Sequence, residues 1–268
     1  MTYKNWRNSI MSKRFVCAVL LLAMLLSLVI PSLVFEAHAA EEGETASESV
    51  HHADENAPDL EDPERIRKIE KTNALIEEYM LNKGMMYRGA GNTVYVTVRM
   101  QQGGSYCGPA CVQMIIEALT GTVYSQSTLA LKLETDDSGT YVYMIRNVLN
   151  NFIGTDSYEY VGTWQSTFGN SLVYSIDKGK PMVCQVKTGT LDPYVKYYKE
   201  TNILKDNEHF VVAYGYSGGS AGASGSSTCY YADPSNVEDG HFCGKFSTSL
   251  ESMLTSIDRH SGYYVRGT

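Results

Sequence analysis

Pro109 sits two residues after Cys107 in the run Cys107-Gly108-Pro109-Ala110-Cys111-Val112-Gln113-Met114-Ile115-Ile116. The run reads as a helix over 107–119, with Gly121 as its stop. Proline lacks a backbone N–H and its ring clashes with a preceding helical turn, so a helix accepts it only in the first turn. That puts Cys107 at the helix N-terminus, where unpaired N–H groups and the helix dipole favour an anion. A free thiol has a pKa of ~8.5 and attacks well only as the thiolate. The position therefore suits a nucleophile.

The rest of the chain sorts into helices first and strands later. Asp62-Pro63-Glu64 has the order of an N-cap, a first-turn proline and a first-turn acid. Ile66, Ile69, Ile76 and Met80 continue it at roughly helical spacing, and Gly84 ends it. Residues 92–100 alternate and are rich in Val and Tyr, as in a strand. Further helices are expected over 126–133, 140–152 and 166–178. Strands are expected over 181–187, 209–216, 226–233, 240–247 and 262–266, and residues 217–225, made only of Ser, Gly and Ala, form a flexible hairpin tip. This order indicates an α+β domain. About 205 residues from Arg65 onward suffice for one domain with a sizeable core.

The first 39 residues read as a secretory signal peptide. Lys4, Arg7, Lys13 and Arg14 precede an apolar stretch over 15–30, Pro31 breaks it, and Ala37-His38-Ala39 offers a cleavage site. The rival is an uncleaved anchor, since residues 15–35 are long enough to span a bilayer. The small-residue site favours cleavage, hence a secreted or cell-surface protein with no stable membrane insertion afterwards. Residues 41–64 hold ten acids and no Lys or Arg, whereas 65–268 hold 18 basic and 19 acidic residues. The acidic stretch, 40–62, reads as a disordered spacer. The domain plan is thus 1–39 signal, 40–62 spacer, 63–84 helix and 85–268 folded domain. No basic patch points to nucleic acid. His51-His52 makes no metal site by itself, and no cofactor is implied.

A cysteine nucleophile needs a base, and His209 opens a β-like run about a hundred residues on, with Asp233-Pro234 after the next one. If the two strands close with Tyr216 opposite Ser226, His209 and Asp233 face each other at the open end of the hairpin. Directly opposed residues have Cβ atoms ~5 Å apart. A slip of one residue would spoil the pairing. Asp233 would then hold the imidazole in the right tautomer. The oxyanion of a tetrahedral intermediate needs donors, and the Cys107 N–H and the side-chain amide of Gln101 are the natural pair. His241 and His260 are rivals of His209 that read as surface residues, and Gln102 is a rival of Gln101.

Gln101, five residues, then Cys107-Gly108 and a helix resembles the nucleophile motif of the bacteriocin-leader-processing cysteine peptidases, family thirty-nine of the cysteine peptidases. His209-Phe210-Val211-Val212-Ala213-Tyr214-Gly215-Tyr216 is similar to their histidine strand, and Tyr231-Ala232-Asp233-Pro234 to their Asp-Pro motif. The resemblance covers roughly Tyr95 to Asp233. It implies a papain-like fold, with the nucleophile helix packed on an antiparallel sheet. It implies Cys107 as nucleophile, His209 as base, Asp233 as orienting acid, Gln101 as oxyanion donor, and a peptide or protein as substrate. It does not carry over the double-glycine substrate of the family's transporters, and the chain resembles a secreted, stand-alone branch.

Three other functions stay open on the sequence: an acyl or amide transferase, a cell-wall peptide hydrolase, and a non-catalytic binding module. Whether the 63–84 helix is an inhibitory pro-segment, and the oligomeric state, are open too. Cys111 and Cys184 read as core residues, and secretion permits a Cys229–Cys243 disulfide.

Overall fold

The computed structural model describes residues 59, 61–86, 91–201, 206–218, 227–236 and 242–268. The expected signal peptide, most of the acidic spacer and the 217–225 hairpin tip beyond Gly218 lie outside the described residues. The elements in chain order are α1 (Pro63–Met86), β1 (Asn92–Thr93), α2 (Cys107–Thr120), α3 (Gln126–Lys132), α4 (Val142–Ile153), β2 (Tyr158–Gly162), α5 (Phe168–Asp177), β3 (Met182–Lys187), α6 (Tyr194–Thr201), β4 (Glu208–Ser217), β5 (Thr228–Asp233), β6 (Gly244–Ser249), α7 (Leu250–His260) and β7 (Tyr263–Gly267). The expected α+β class holds: helices pack on one sheet whose strand pairs are all antiparallel, ordered β2-β7-β3-β4-β5-β6 with β1 also on β4.

The sheet is covered on both faces, which explains why β3 and β4 are nearly continuous apolar runs rather than alternating ones. On β4, Phe210 and Val212 join a core with Ile115 of α2 and Leu149 of α4. Val211 and Ala213 point into a second core with Leu172 of α5 and Ile257 of α7. Helix α2 ends where expected: Gly121 takes φ 72° and its N–H returns to Glu117 O. Few residues but glycine adopt that left-handed conformation cheaply.

Three elements escaped the sequence reading. Helix α7 is mostly polar and turns only Met253, Ser256 and Ile257 fully inward; β2 and the short α6 carry no turn signal of their own. The expected strand over 92–100 shrinks to β1. It pairs only with Tyr216 and Gly215, because β3 occupies that edge of β4 from Ala213 onward.

Helix α1 is anchored at both ends. Arg65 donates to Tyr160 O at 2.7 Å and lies over the Tyr160 ring, while Ile69 and Ile76 are buried. Lys83 and Tyr216 both bond Asp177. The spacer reading fails at Asp59. Its carboxylate accepts from Tyr160 Oη at 2.6 Å and Arg146 at 2.8 Å, so ordered structure begins inside the acidic stretch. These charge-assisted bonds compensate a local peptide that has nothing apolar to bury. Beneath α1, Arg266 is fully buried beside Glu159 and donates to Asn73 Oδ1 at 2.8 Å.

Candidate active site

The first turn of α2 carries the thiol. Tyr106 at the N-cap offers no side-chain acceptor to the helix, so no capping group competes for the N-terminal N–H groups. Cys107 is buried, and a close approach holds the turn in place. An added Cβ on Gly108 would lie 2.5 Å from Thr140 Oγ1. Cys111, one turn on, is fully buried, and burial pushes its thiol well up. Cys184 is fully buried on β3, as expected.

His209 comes from the start of β4 and Asp233 from the end of β5. The imidazole Nε2 lies 2.8 Å from Asp233 Oδ1, with Asp233 fully buried. His209 also hydrogen-bonds Cys107. With Nε2 engaged by the carboxylate, Nδ1 is left for the thiol. Burial works against a charged imidazole here, but the Asp233 carboxylate and then Cys107 outweigh it, and the His209 pKa is raised to about 10. An imidazolium at neutral pH follows.

The two side chains meet by a route other than the one expected. The last described pair of the hairpin is Ser217 with Thr228, not Tyr216 with Ser226. Carried straight on, that register would bring Asp233 level with Val212, on the opposite face from His209. The register shifts between Ala213 and Gly215. The extra residue brings Asp233 level with Val211, on the His209 face, and the two groups join diagonally. Diagonal neighbours lie within reach of long side chains, and a bulge re-aims a strand in just this way. Gly215 permits the irregularity, since a Cβ there would meet Thr93 Cγ2 at 2.6 Å.

Gln101 arrives on the segment before α2. Its N–H donates to Pro234 O at 2.7 Å, next to Asp233. Its side chain is buried, with Nε2 donating to Gly103 O at 3.0 Å and Gly104 O at 3.1 Å. Gln102, its rival, is exposed. The loop rests on groups the sequence did not single out: Gln126 accepts from Gln102 N–H and donates to Met100 O and Gln113 Oε1.

Tyr194, from α6, also went unnoticed. Its hydroxyl donates to Asp233 Oδ2 at 2.9 Å, and Ser235 N–H donates to Oδ1 at 2.8 Å. Nothing in Asp192-Pro193-Tyr194 marks it, because its partner is 39 residues away. His260 is corrected from a surface residue: its side chain is only 4 % exposed, with Nε2 3.6 Å from Glu208. His241 lies outside the described residues. The Cys229–Cys243 bridge is absent, and both thiols are free. Register forbids it. Cys229 pairs with Thr248, whereas Cys243 precedes Gly244, the partner of Asp233. That offset is roughly 16 Å along the strand, well beyond disulfide reach.

A helix-borne thiol against an imidazole that a buried carboxylate supports defines a cysteine-type hydrolase. Residues 93–253, more than half of the chain, match the family described as "Peptidase_C39 like family". The chain belongs to that family and is a cysteine-type peptidase. No curated protein matches it. Among solved structures it is similar to the peptidase domain of Streptococcus ComA, a bi-functional ABC transporter (16 % identity, 65 % of this chain, 98 % of that one, TM-score 0.41). It is also similar to a double glycine motif protease from an AMS/PCAT transporter in complex with the leader peptide (14 %, 66 %, 93 %, 0.38). A third is the bromelain protease from Ananas comosus in complex with the E64 inhibitor (15 %, 65 %, 94 %, 0.42). Likeness this distant adds nothing to the assignment, which rests on the family match.

Proposed function

We propose that this is a secreted, papain-like peptidase that hydrolyses peptide bonds through a Cys107–His209–Asp233 triad and a thioester intermediate. The observation that carries the reading is the Cys107–His209 contact at an uncapped helix N-terminus, backed by buried Asp233. Cys107 Sγ, as thiolate, attacks the scissile carbonyl carbon. The helix N-terminus and the imidazolium both favour that anion. The oxyanion takes the Cys107 N–H and the Gln101 amide, which exchanges one of its two loop bonds for it. As the C–N bond breaks, His209 gives its Nδ1 proton to the leaving amine. It then takes a proton from the water that hydrolyses the thioester, and the thiolate returns. Asp233 stays ionised throughout and holds the ring.

Residues 1–39 would direct secretion, and N-terminal sequencing of exported protein checks cleavage after Ala39. Helix α1 is read as part of the domain and not as an inhibitory cover. Its Lys83 contact lies at Tyr216, seven residues along β4 from His209, roughly 23 Å away. The test is mass-spectrometric cleavage of a diverse peptide library by the protein and by Cys107→Ala. Cleavage that disappears in the variant is expected. Equal cleavage by both, or none by either alongside a Cys107 no more reactive than free cysteine, would refute the reading.

A further inference from the structure

We propose that Tyr194 is a positioning residue of the active site: its hydroxyl holds the second oxygen of Asp233 and so sets the pH range over which the Cys107–His209 pair is reactive. The inference rests on the triad reading above and adds a fourth member to it.

Asp233 is fully buried, so its carboxylate needs every acceptor site filled from within the protein. Two donors, His209 Nε2 and Ser235 N–H, converge on Oδ1, both at 2.8 Å. Tyr194 is the donor on Oδ2, at 2.9 Å. A carboxylate bonded on one oxygen only could rotate about its Cβ–Cγ bond. With both oxygens held, its plane is fixed, and the imidazole is aimed with it. A hydroxyl also leaves the Asp233 charge in place, whereas a Lys or Arg there would neutralise it and remove its pull on the imidazole.

The tyrosine is itself clamped. It is 2 % exposed and opens α6, with the Phe242 ring centroid 4.8 Å away and that of Tyr198 6.1 Å away. Its ring stands edge-on to the His209 ring at 6.3 Å between centroids. The aromatic group thus closes the His–Asp pair off from water on the α6 side, where the pair is worth most electrostatically. Burial and the neighbouring Asp233 charge push the Tyr194 hydroxyl well up, so it remains a donor across the working range. The other titratable groups that act on Asp233 or Tyr194 are Cys111 from α2, Tyr198 from α6, Tyr231 from β5 and Cys243 ahead of β6. None of them carries a positive charge, so His209 is the cation of the cluster.

Tyr194→Phe removes the oxygen and keeps the ring. The carboxylate then loses one of three donors and becomes a poorer partner for the imidazolium. The pH above which Cys107 reacts fast should rise by about one unit, the scale of a hydrogen bond to a charged group. The readout is the rate of Cys107 carboxymethylation by iodoacetamide on the full-length chain as a function of pH, followed by mass spectrometry. It needs no knowledge of the substrate. With a peptide from the library, kcat should fall about tenfold while KM stays within twofold, as for a group that acts only on the chemical step. In an Asp233→Asn background the same substitution should move nothing, because its target is gone. Site-specific Tyr194→3-fluorotyrosine, a stronger donor, should shift the limb the opposite way.

A merely structural Tyr194 would lower the melting temperature and leave the pH limb in place, and that result overturns the proposal. So does an equal Tyr194→Phe shift with and without the Asp233 carboxylate. A wild-type Cys107 that alkylates no faster than free cysteine and cleaves nothing is a different outcome: it removes the peptidase reading and this inference with it.

Discussion

Replacing Gly108 by alanine puts a Cβ 2.5 Å from Thr140 Oγ1, 2.8 Å from its Cβ and 3.1 Å from its Cγ2. Thr140 is no flexible end that could yield. It is 1 % exposed, and its Oγ1 lies 2.7 Å from Thr135 Oγ1. It also stands just ahead of α4, whose packing on α2 builds the first core. Forcing a methyl group into such a contact costs about 1–3 kcal/mol. Alanine's better helix propensity returns at most about 1 kcal/mol, so the clash wins with a net loss of about 1–2 kcal/mol. For a domain of this size that is a fall of about 2–8 °C in melting temperature. The first turn of α2 must move to relieve it, and Cys107 moves too. Scanning calorimetry with the iodoacetamide rate at pH 7 measures both effects. Thr140→Ala removes two of the three offending atoms, so Gly108→Ala/Thr140→Ala should recover most of the loss. An unchanged melting temperature with unchanged Cys107 reactivity would refute the steric argument. An undiminished loss in the Thr140→Ala background would do so as well.

His209 links stability to pH. Its pKa is raised in the fold from 6.5 to about 10, with burial opposing and Asp233 and Cys107 prevailing, so its contribution is complete below about pH 6.5 and fades as pH rises through about 10. The stability advantage of wild type over Asp233→Asn, from urea unfolding at fixed pH, should therefore shrink between those values; an advantage that grows contradicts the sign. Arg266→Met strands Glu159, which is 1 % exposed, next to no cation, and should cost about 3–5 kcal/mol of unfolding free energy, most of it recovered by adding Glu159→Leu. A double variant no more stable than Arg266→Met alone would sink that account. Maleimide should label both Cys229 and Cys243 in denatured, unreduced protein, and an intact bridge between them would contradict the β5–β6 register.

Legibility followed the range of the interactions. Helix α2 could be read because Pro109 and Gly121 act on their own backbone within a turn. The segments of β3, β4 and β5 could be read because their apolar runs are bounded by breakers. Strand β6 begins four residues later than expected, and β1 is two residues where nine were expected, because a partner strand and not the segment itself sets strand length. His209 and Asp233 were correctly brought together from a hairpin whose closing pair was misplaced. The bulge at Tyr214 supplies the change of face that the assumed register had supplied by other means.

Four local properties were decided by the amino-acid order alone: a thiol at a helix mouth, a histidine and an acid on successive strands, and a glutamine just upstream. Backbone dihedral limits and side-chain alternation impose these over a few residues, whatever the rest of the chain does. Only the tertiary structure decided that the hairpin slips by one residue beside β1. It alone put Tyr194 on the far oxygen of Asp233, Thr140 against Gly108, and Asp59 among Arg65, Arg146 and Tyr160. Each of those depends on groups tens of residues apart being packed against one another at a distance of a few ångströms, and local chain preferences do not reach that far.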